Sequence, residues 1–105
     1  MTVYVDNFFM PAKVKNGNRF VTAKWCHMVA DSREELDAMA DKIGLKRSWI
    51  QYPGQWKEHY DVTESRRAAA VAAGAVEVTV REMARWHIAR HPRFRVDPTT
   101  GLLVE

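Results

Sequence analysis

Residues 25–44 read WCHMVADSREELDAMADKIG and join a predicted strand directly to a predicted helix. Residues 25–31 are largely apolar on both of their alternating faces, as expected for a central strand that is covered on both sides. Ser32 and Glu35 have the spacing of a capping box, which marks a helix start, and Gly44 stands where a helix commonly ends. Between them, four apolar residues recur at the spacing of one helix face, namely Leu36, Met39, Ala40 and Ile43.

The rest of the chain continues this alternation of strands and helices. Further strands are expected at residues 3–6, 47–52 and 75–78, and further helices at residues 64–73 and 79–90. The order predicts one α/β domain over residues 1–105, with three layers, a mostly parallel sheet of about four strands and helices on its faces. Residues 96–105 are expected to form a C-terminal hairpin, with a frayed terminus as the alternative.

The amino-acid composition limits the classes of protein to which the chain can belong. The chain has 105 residues, a formal net charge of +3 and a single cysteine, Cys26. One cysteine excludes an internal disulfide and a zinc site built from several cysteines, and it fits a reducing compartment. The N-terminus lacks the pattern of a secretory signal, and no stretch reaches the roughly 18 apolar residues of a membrane span. We therefore expect a cytoplasmic protein.

Acidic and imidazole side chains stand at or just beyond the predicted strand ends. In an open α/β sheet, ligands bind beyond the carboxyl ends of parallel strands, so the topology would bring these residues together. Such a group could hold a divalent metal or act in general acid–base catalysis. The candidate metal ligands are Asp6, Asp31, His59 and Asp61. The candidate catalytic residues are Asp6, His27, Asp31, His59 and Asp61.

Each of these residues also has a purely structural interpretation. Asp31 and Asp61 precede predicted helices, where an acidic side chain suits the helix dipole. His27 lies inside a predicted strand, where it can be a hydrogen-bonded core histidine.

Arg66 and Arg67 lie in the first turn of a predicted helix, where the dipole disfavours cations. A bound anion would offset that conflict, so both arginines are candidates for binding an anionic ligand. The alternative is a pair of solvated arginines neutralised by Glu64 or another acid.

Two other functions remain open. Residues 81–95 contain five arginines and one acid, which suits contacts with nucleic-acid phosphates but also suits a solvated helix face. Exposed aromatic residues, with Phe8, Phe9 and Trp56 as candidates, would instead suit a non-enzymatic protein that binds a host protein.

Several motifs in fixed order resemble a known family. They are VYVD at 3–6, WCHMVAD at 25–31, the Ile43-Gly44-Leu45 segment with Arg47 and Trp49, and HYDVT at 59–63 followed by Arg67. Together they are similar to short actinobacterial and bacteriophage proteins grouped as a domain of unknown function, number 4031, over about residues 3–84. The resemblance implies a bacterial or phage cytoplasm and no particular activity.

The residues themselves favour a polar ligand site or active site at the strand ends. Its simplest chemistry would be hydrolysis of a phosphate-containing substrate by water that a carboxylate or imidazole activates, with the help of a divalent metal if one binds.

Overall fold

The computed structural model describes residues 2–16, 18–91, 95–96 and 103–104. Its strands are β1 (Val3–Val5), β2 (Met10–Asn16), β3 (Arg19–Ala30), β4 (Tyr60–Thr63), β5 (Val76–Glu77), β6 (Arg95–Val96) and β7 (Leu103–Val104). Its helices are α1 (Arg33–Lys42), α2 (Glu64–Ala72) and α3 (Val80–Arg90), with a 3₁₀ turn at Arg47–Trp49.

The five-stranded sheet is mostly antiparallel, so the expectation of a mostly parallel sheet is wrong. Its order is β2-β3-β1-β5, and β4 pairs with the other side of β3. Only the β1–β5 pair is parallel among the strands of this sheet. The cause lies in β3, which is twelve residues long and begins well before the predicted strand at residue 25. Its first half forms a hairpin with β2, and hairpins are antiparallel by construction.

The predicted strand at residues 47–52 is also wrong. Its first half is the 3₁₀ turn, and Gln51 forms only an isolated bridge with His59. The strand of this region is β4, where we expect a loop from the sequence. In β4 the buried side chains of Tyr60 and Val62 alternate with the exposed Asp61, the period of a half-buried strand.

Helices α1 and α2 cover one face of the sheet. The apolar core lies between them and the face of β3 that carries Cys26, Met28 and Ala30. Burial raises the pKa of the Cys26 thiol, as expected for a small core residue away from any base. The helix starts agree with the sequence, since Ser32 caps α1 and Thr79 forms a capping box with Glu82 at the start of α3.

Helix α3 lies over the opposite face, where the Trp86 ring meets Tyr4 and the His87 ring meets His59. Strands β6 and β7 pair antiparallel, as the predicted C-terminal hairpin requires, while its turn falls outside the described residues. Within the described ranges no helix has the length and apolar character needed to cross a membrane.

Candidate metal centre

A break between β1 and β2 shapes the site. Strand β1 pairs with residues 28–30 of β3, and β2 pairs with residues 19–25 of the same strand. Between these two ladders, residues 6–9 lie opposite residues 26–27 only. Four residues opposite two make a large β-bulge, a feature that re-aims side chains. Phe9 has φ of 47° there, a left-handed conformation that non-glycine residues seldom adopt. The bulge turns the side chain of Asp6 back towards β3.

Asp6 is almost completely buried, with 1% of its surface exposed, and it binds His27 twice. Its Oδ2 lies 2.7 Å from His27 Nδ1, and its Oδ1 accepts the His27 main-chain N–H at 2.9 Å. Burial alone would raise the pKa of Asp6, but the hydrogen bonds from His27 outweigh it and lower that pKa. The same contact raises the pKa of His27. The pair fixes the imidazole ring with Nδ1 towards Asp6.

Strand β4 brings two further groups to the same face. Asp61 is the residue directly opposite His27 in the β3–β4 ladder. His59 comes two residues earlier and so shares that face. Its Nε2 lies 3.2 Å from an Asp61 carboxylate oxygen, and its Nδ1 donates to the Lys57 carbonyl at 2.7 Å. The two imidazole rings meet edge to face, with centroids 5.1 Å apart.

His27, His59 and Asp61 each offer a ligand atom, and these atoms all lie within 4.8 Å of one another. In both histidines Nδ1 is held by an oxygen acceptor, which leaves Nε2 for a ligand. This arrangement, in which the far nitrogen of a metal-binding histidine is oriented by a carboxylate or a carbonyl, is the usual one in metal sites. The side chains are 33%, 13% and 43% exposed, so a ligand can reach the group from solvent.

A third imidazole stands beside this group. The His87 ring centroid lies 6.4 Å from that of His59, and its Nε2 is buried with no hydrogen-bond partner among the described residues. Burial, together with the positive charges that His59 and His27 can carry, lowers the pKa of His87 to about 4. His87 is therefore neutral at pH 7. Sequence alone indicates only a packed helix residue, because nothing local shows which strand it faces.

Two exposed aromatic rings border the histidines. Phe8, 41% exposed, stacks on His27 with ring centroids 5.4 Å apart. Tyr52, 45% exposed, lies 6.2 Å from His59 and carries the Lys57 ammonium 3.8 Å from its ring centroid. Tyr52 also has a positive φ, of 52°. Such strained residues cluster at functional sites.

Asp31 lies apart from this group. It is four residues beyond His27 in sequence, about 13 Å along an extended strand. Its carboxylate lies 3.5 Å from the Tyr4 hydroxyl, and its main-chain oxygen accepts a bond from Arg90. It borders a separate cleft of about 280 Å³ that Trp56 and Trp86 also line.

Arg66 and Arg67 are occupied by contacts within the protein. Arg66 donates to the Ile43 carbonyl at the end of α1, at 2.6 Å. Arg67 donates to the Asp6 carbonyl at 2.6 Å and to Glu77 at 2.9 Å. Both guanidinium groups hold the main chain in place, so we do not include them in the site.

Four of the five acidic and histidine candidates thus meet, but not for the reason the sequence suggests. They are Asp6, His27, His59 and Asp61. They do not meet at the carboxyl edge of a parallel sheet. The antiparallel pairing of β3 with β4 and the bulge before β2 bring them together. The local signal for this was the alternation in His59-Tyr60-Asp61, which places the histidine and the acid on one side of a strand.

Comparison with known proteins gives one match. Residues 3–90 match the family described as "Protein of unknown function (DUF4031)". The match includes the four residues of the site and runs past residue 84, where the resemblance of the motifs ends. No curated protein and no solved structure matches the chain.

Proposed function

The chain belongs to the DUF4031 family, whose description assigns no activity, and we propose from the site itself that the protein binds a divalent metal ion of the zinc type through His27, His59 and Asp61. The observation that carries the proposal is the convergence of three ligand atoms within 4.8 Å, with both histidines oriented through Nδ1. Two imidazoles and one carboxylate are a common ligand set for catalytic zinc and for other first-row metals.

The present spacing requires only a small contraction. Ligands about 2.0 Å from a tetrahedral zinc ion lie about 3.3 Å from one another. The His59–Asp61 contact, at 3.2 Å, already has this separation. The other two separations are at most 4.8 Å, so they exceed this distance by no more than about 1.5 Å. Asp6 remains outside the ligand set and orients the His27 ring, which also makes that imidazole a better electron donor.

Three protein ligands leave a coordination position for water, and hydrolysis of a phosphate ester is the reaction we propose. A bound metal ion lowers the pKa of such a water molecule and neutralises phosphate charge. In this reaction water would add to phosphorus as the ester P–O bond breaks, and the Asp61 oxygen that does not bind metal would accept the proton of the water. The departing oxygen would take a proton from solvent and leave as the alcohol. The exposed Phe8 and Tyr52 rings flank the approach to this position.

Metal titration of the purified full chain tests the proposal. We expect one Zn²⁺ ion per chain by calorimetry and elemental analysis, after the protein is stripped with a chelator. Asp61→Asn and His59→Ala should each weaken binding by more than about 100-fold, because each removes a direct ligand. Asp6→Asn should weaken it by about 10- to 100-fold, because the ring of His27 loses its anchor.

Asp31→Asn and His91→Ala are matched controls, since they change the same residue types outside the group. They should leave the affinity for Zn²⁺ unchanged. Equal loss in the controls, or stoichiometric binding that survives Asp61→Asn and His59→Ala in folded protein, would rule out this centre. If Zn²⁺ binds but a set of phosphate monoesters and diesters is not hydrolysed faster than in the Asp61→Asn variant, the metal site stands and the hydrolytic step does not.

A further inference from the structure

A second surface lies on the hairpin of β2 and β3, which we call the arm (residues 10–25). The sequence from residue 7 to residue 30 contains four cationic side chains and no acidic one. They are Lys13, Lys15, Arg19 and Lys24. In a chain with 16 basic and 13 acidic residues, so long an interval without an acid concentrates positive charge in one element.

The arm is a two-stranded ribbon for most of its length. Residues 10–16 pair with residues 19–25, which gives a ladder about 20 Å long. Strands β1 and β4 join β3 only from residue 25 onwards, so β2 is the sole neighbour of residues 19–24 in the described sheet. None of the described side chains between residues 10 and 24 is buried. The described side chains of the ribbon are therefore open to solvent and do not form part of the core.

One face of the arm combines cations with an aromatic ring. Lys13 pairs across the ladder with Thr22, so Phe20 and Lys24 are its diagonal neighbours on the same face. The Lys13 ammonium lies 4.6 Å from the centroid of the Phe20 ring, which is 62% exposed. Lysine ammonium groups on an exposed, ordered ribbon can contact successive phosphates.

The same face continues into an open groove of about 730 Å³ at the base of the arm. Lys24 and Thr22 form its strand side, and the hydroxyl residues Thr63 and Ser65 form its other side at the start of α2. One acid, Glu64, also borders the groove. The groove thus extends the hydrogen-bonding surface of the arm without reversing its charge.

We propose that the arm binds the phosphate backbone of a nucleic acid and that it enters the major groove of duplex DNA. That groove, about 12 Å wide, admits a two-stranded ribbon. A polyphosphate partner accounts for both the lysines and the absence of acids, whereas Met10 and Phe20, the exposed large apolar side chains among the described arm residues, offer little area to a lipid bilayer. The basic segment at residues 81–95 is not part of this surface.

The arm and the metal centre are independent surfaces. Lys24 and His27 are three residues apart on β3, so their side chains leave opposite faces of the strand. Binding by the arm consequently does not require the metal, and metal binding does not require the arm.

Fluorescence anisotropy with a labelled 20-base-pair duplex tests the proposal. The metal-free protein should bind the duplex at 50 mM salt and lose affinity steeply as salt rises. The double variant Lys13→Gln/Lys24→Gln should bind at least about tenfold more weakly, and its slope of log affinity against log salt should fall by about 1.8, for two phosphate contacts. The control Lys42→Gln/Lys46→Gln removes the same charge from exposed positions near the end of α1 and should bind like the parent protein.

Circular dichroism and the thermal midpoint verify that each variant is folded. The proposal fails if the control loses as much affinity as the arm variant, or if Arg81→Gln/Arg85→Gln carries the loss instead. Binding to vesicles with 30% phosphatidylserine but not to DNA would identify a membrane-binding arm and overturn it. Equal affinity for single-stranded DNA of the same sequence would overturn entry into the duplex groove.

Discussion

His87 shows what a single buried group does to this molecule. Its Nε2 has no partner among the described residues, and burial lowers its pKa to about 4, against an ordinary value of 6.5. The unfolded chain therefore binds a proton at a pH where the folded chain does not. A group of this kind makes the folded state less stable as the pH falls through 6.5, and the loss continues until the pH reaches the folded pKa.

We expect His87→Leu to flatten the acid side of the stability profile. For the parent protein, this one group should lower the free energy of unfolding by about 2 kcal/mol between pH 7 and pH 5. Leucine does not titrate and needs no hydrogen-bond partner, so the variant should not show that loss. Urea unfolding at several pH values, with a chelator present to keep the protein metal-free, measures the difference.

His91→Gln is the control for this measurement, since it replaces a second imidazole next to α3, whose ring packs on Trp56. The control should keep the slope of the parent protein between pH 7 and pH 5. If His87→Leu keeps that slope as well, the acid sensitivity arises elsewhere and the imidazole of His87 is not held neutral by its surroundings.

The candidate site could be predicted in part at this scale. Acidic and imidazole side chains were identifiable as candidates by residue type and by their proximity to predicted strands. The bond between Asp6 and His27 could not be foreseen, because it depends on the bulge at residues 6–9, which exists only in relation to a partner strand. His87 could not be assigned to the site, because the face that α3 presents to the sheet follows from tertiary packing.

At the scale of elements, α3 begins with a complete capping box. The Thr79 hydroxyl accepts the Glu82 N–H at 3.1 Å, and the Glu82 carboxylate accepts the Thr79 N–H at 3.0 Å. The Val80 N–H is bound separately by the side chain of Asn7, which lies in the bulge. The start of the helix is thereby joined to the segment that positions Asp6.

Thr79→Ala should lower the free energy of unfolding by about 1 kcal/mol, because the Glu82 N–H loses its acceptor. In a domain of this size the thermal midpoint should fall by roughly 4–8 °C. Differential scanning calorimetry measures both quantities. Thr22→Ala, which alters an exposed arm residue that caps no helix, should change stability by less than about 0.5 kcal/mol. If the two substitutions lowered the stability equally, the Thr79 cap would not be a source of stability for α3.

The helix starts were predictable because the residues that form a helix cap lie within four consecutive positions of the sequence. Strands were less so, since a strand needs a partner that the local sequence does not identify. Thus the sequence predicts no strand at β4, although Tyr60 and Val62 alternate with Asp61. It predicts a strand at residues 47–52, although the apolar side chains there are partly exposed. The length of the ribbon formed by β2 and β3 was likewise not predictable, because it depends on the pairing of the two strands.

On the scale of the whole molecule, the core and the arm are separable. The buried cluster draws on β1, the second half of β3, β4 and the first two helices, and it includes no described residue between 10 and 25. Folding should therefore depend little on the outer part of the ribbon.

Replacing residues 13–22 with Asn-Gly should leave the fold intact. Ala12 pairs with Ala23, so a two-residue turn of this type can close the shortened hairpin. We expect cooperative urea unfolding with a free energy within about 1 kcal/mol of the parent, since none of the removed side chains that the structure describes is buried. Loss of cooperative unfolding, or a drop of several kcal/mol, would show that the ribbon contributes to the core after all.

The alternation of side chains along β3 has a consequence for sequence change. Adding one residue between Lys24 and His27 would shift β3 by one position relative to its neighbours. The side chains of the arm would then exchange the two faces of the ribbon. Lys13, Thr22 and Lys24 would leave the face that borders α2, while the ladder itself stayed formed. Insertions near Asn16-Gly17 avoid that exchange. We therefore expect the length of β3 to vary near Arg19, where the strand begins, and not near His27.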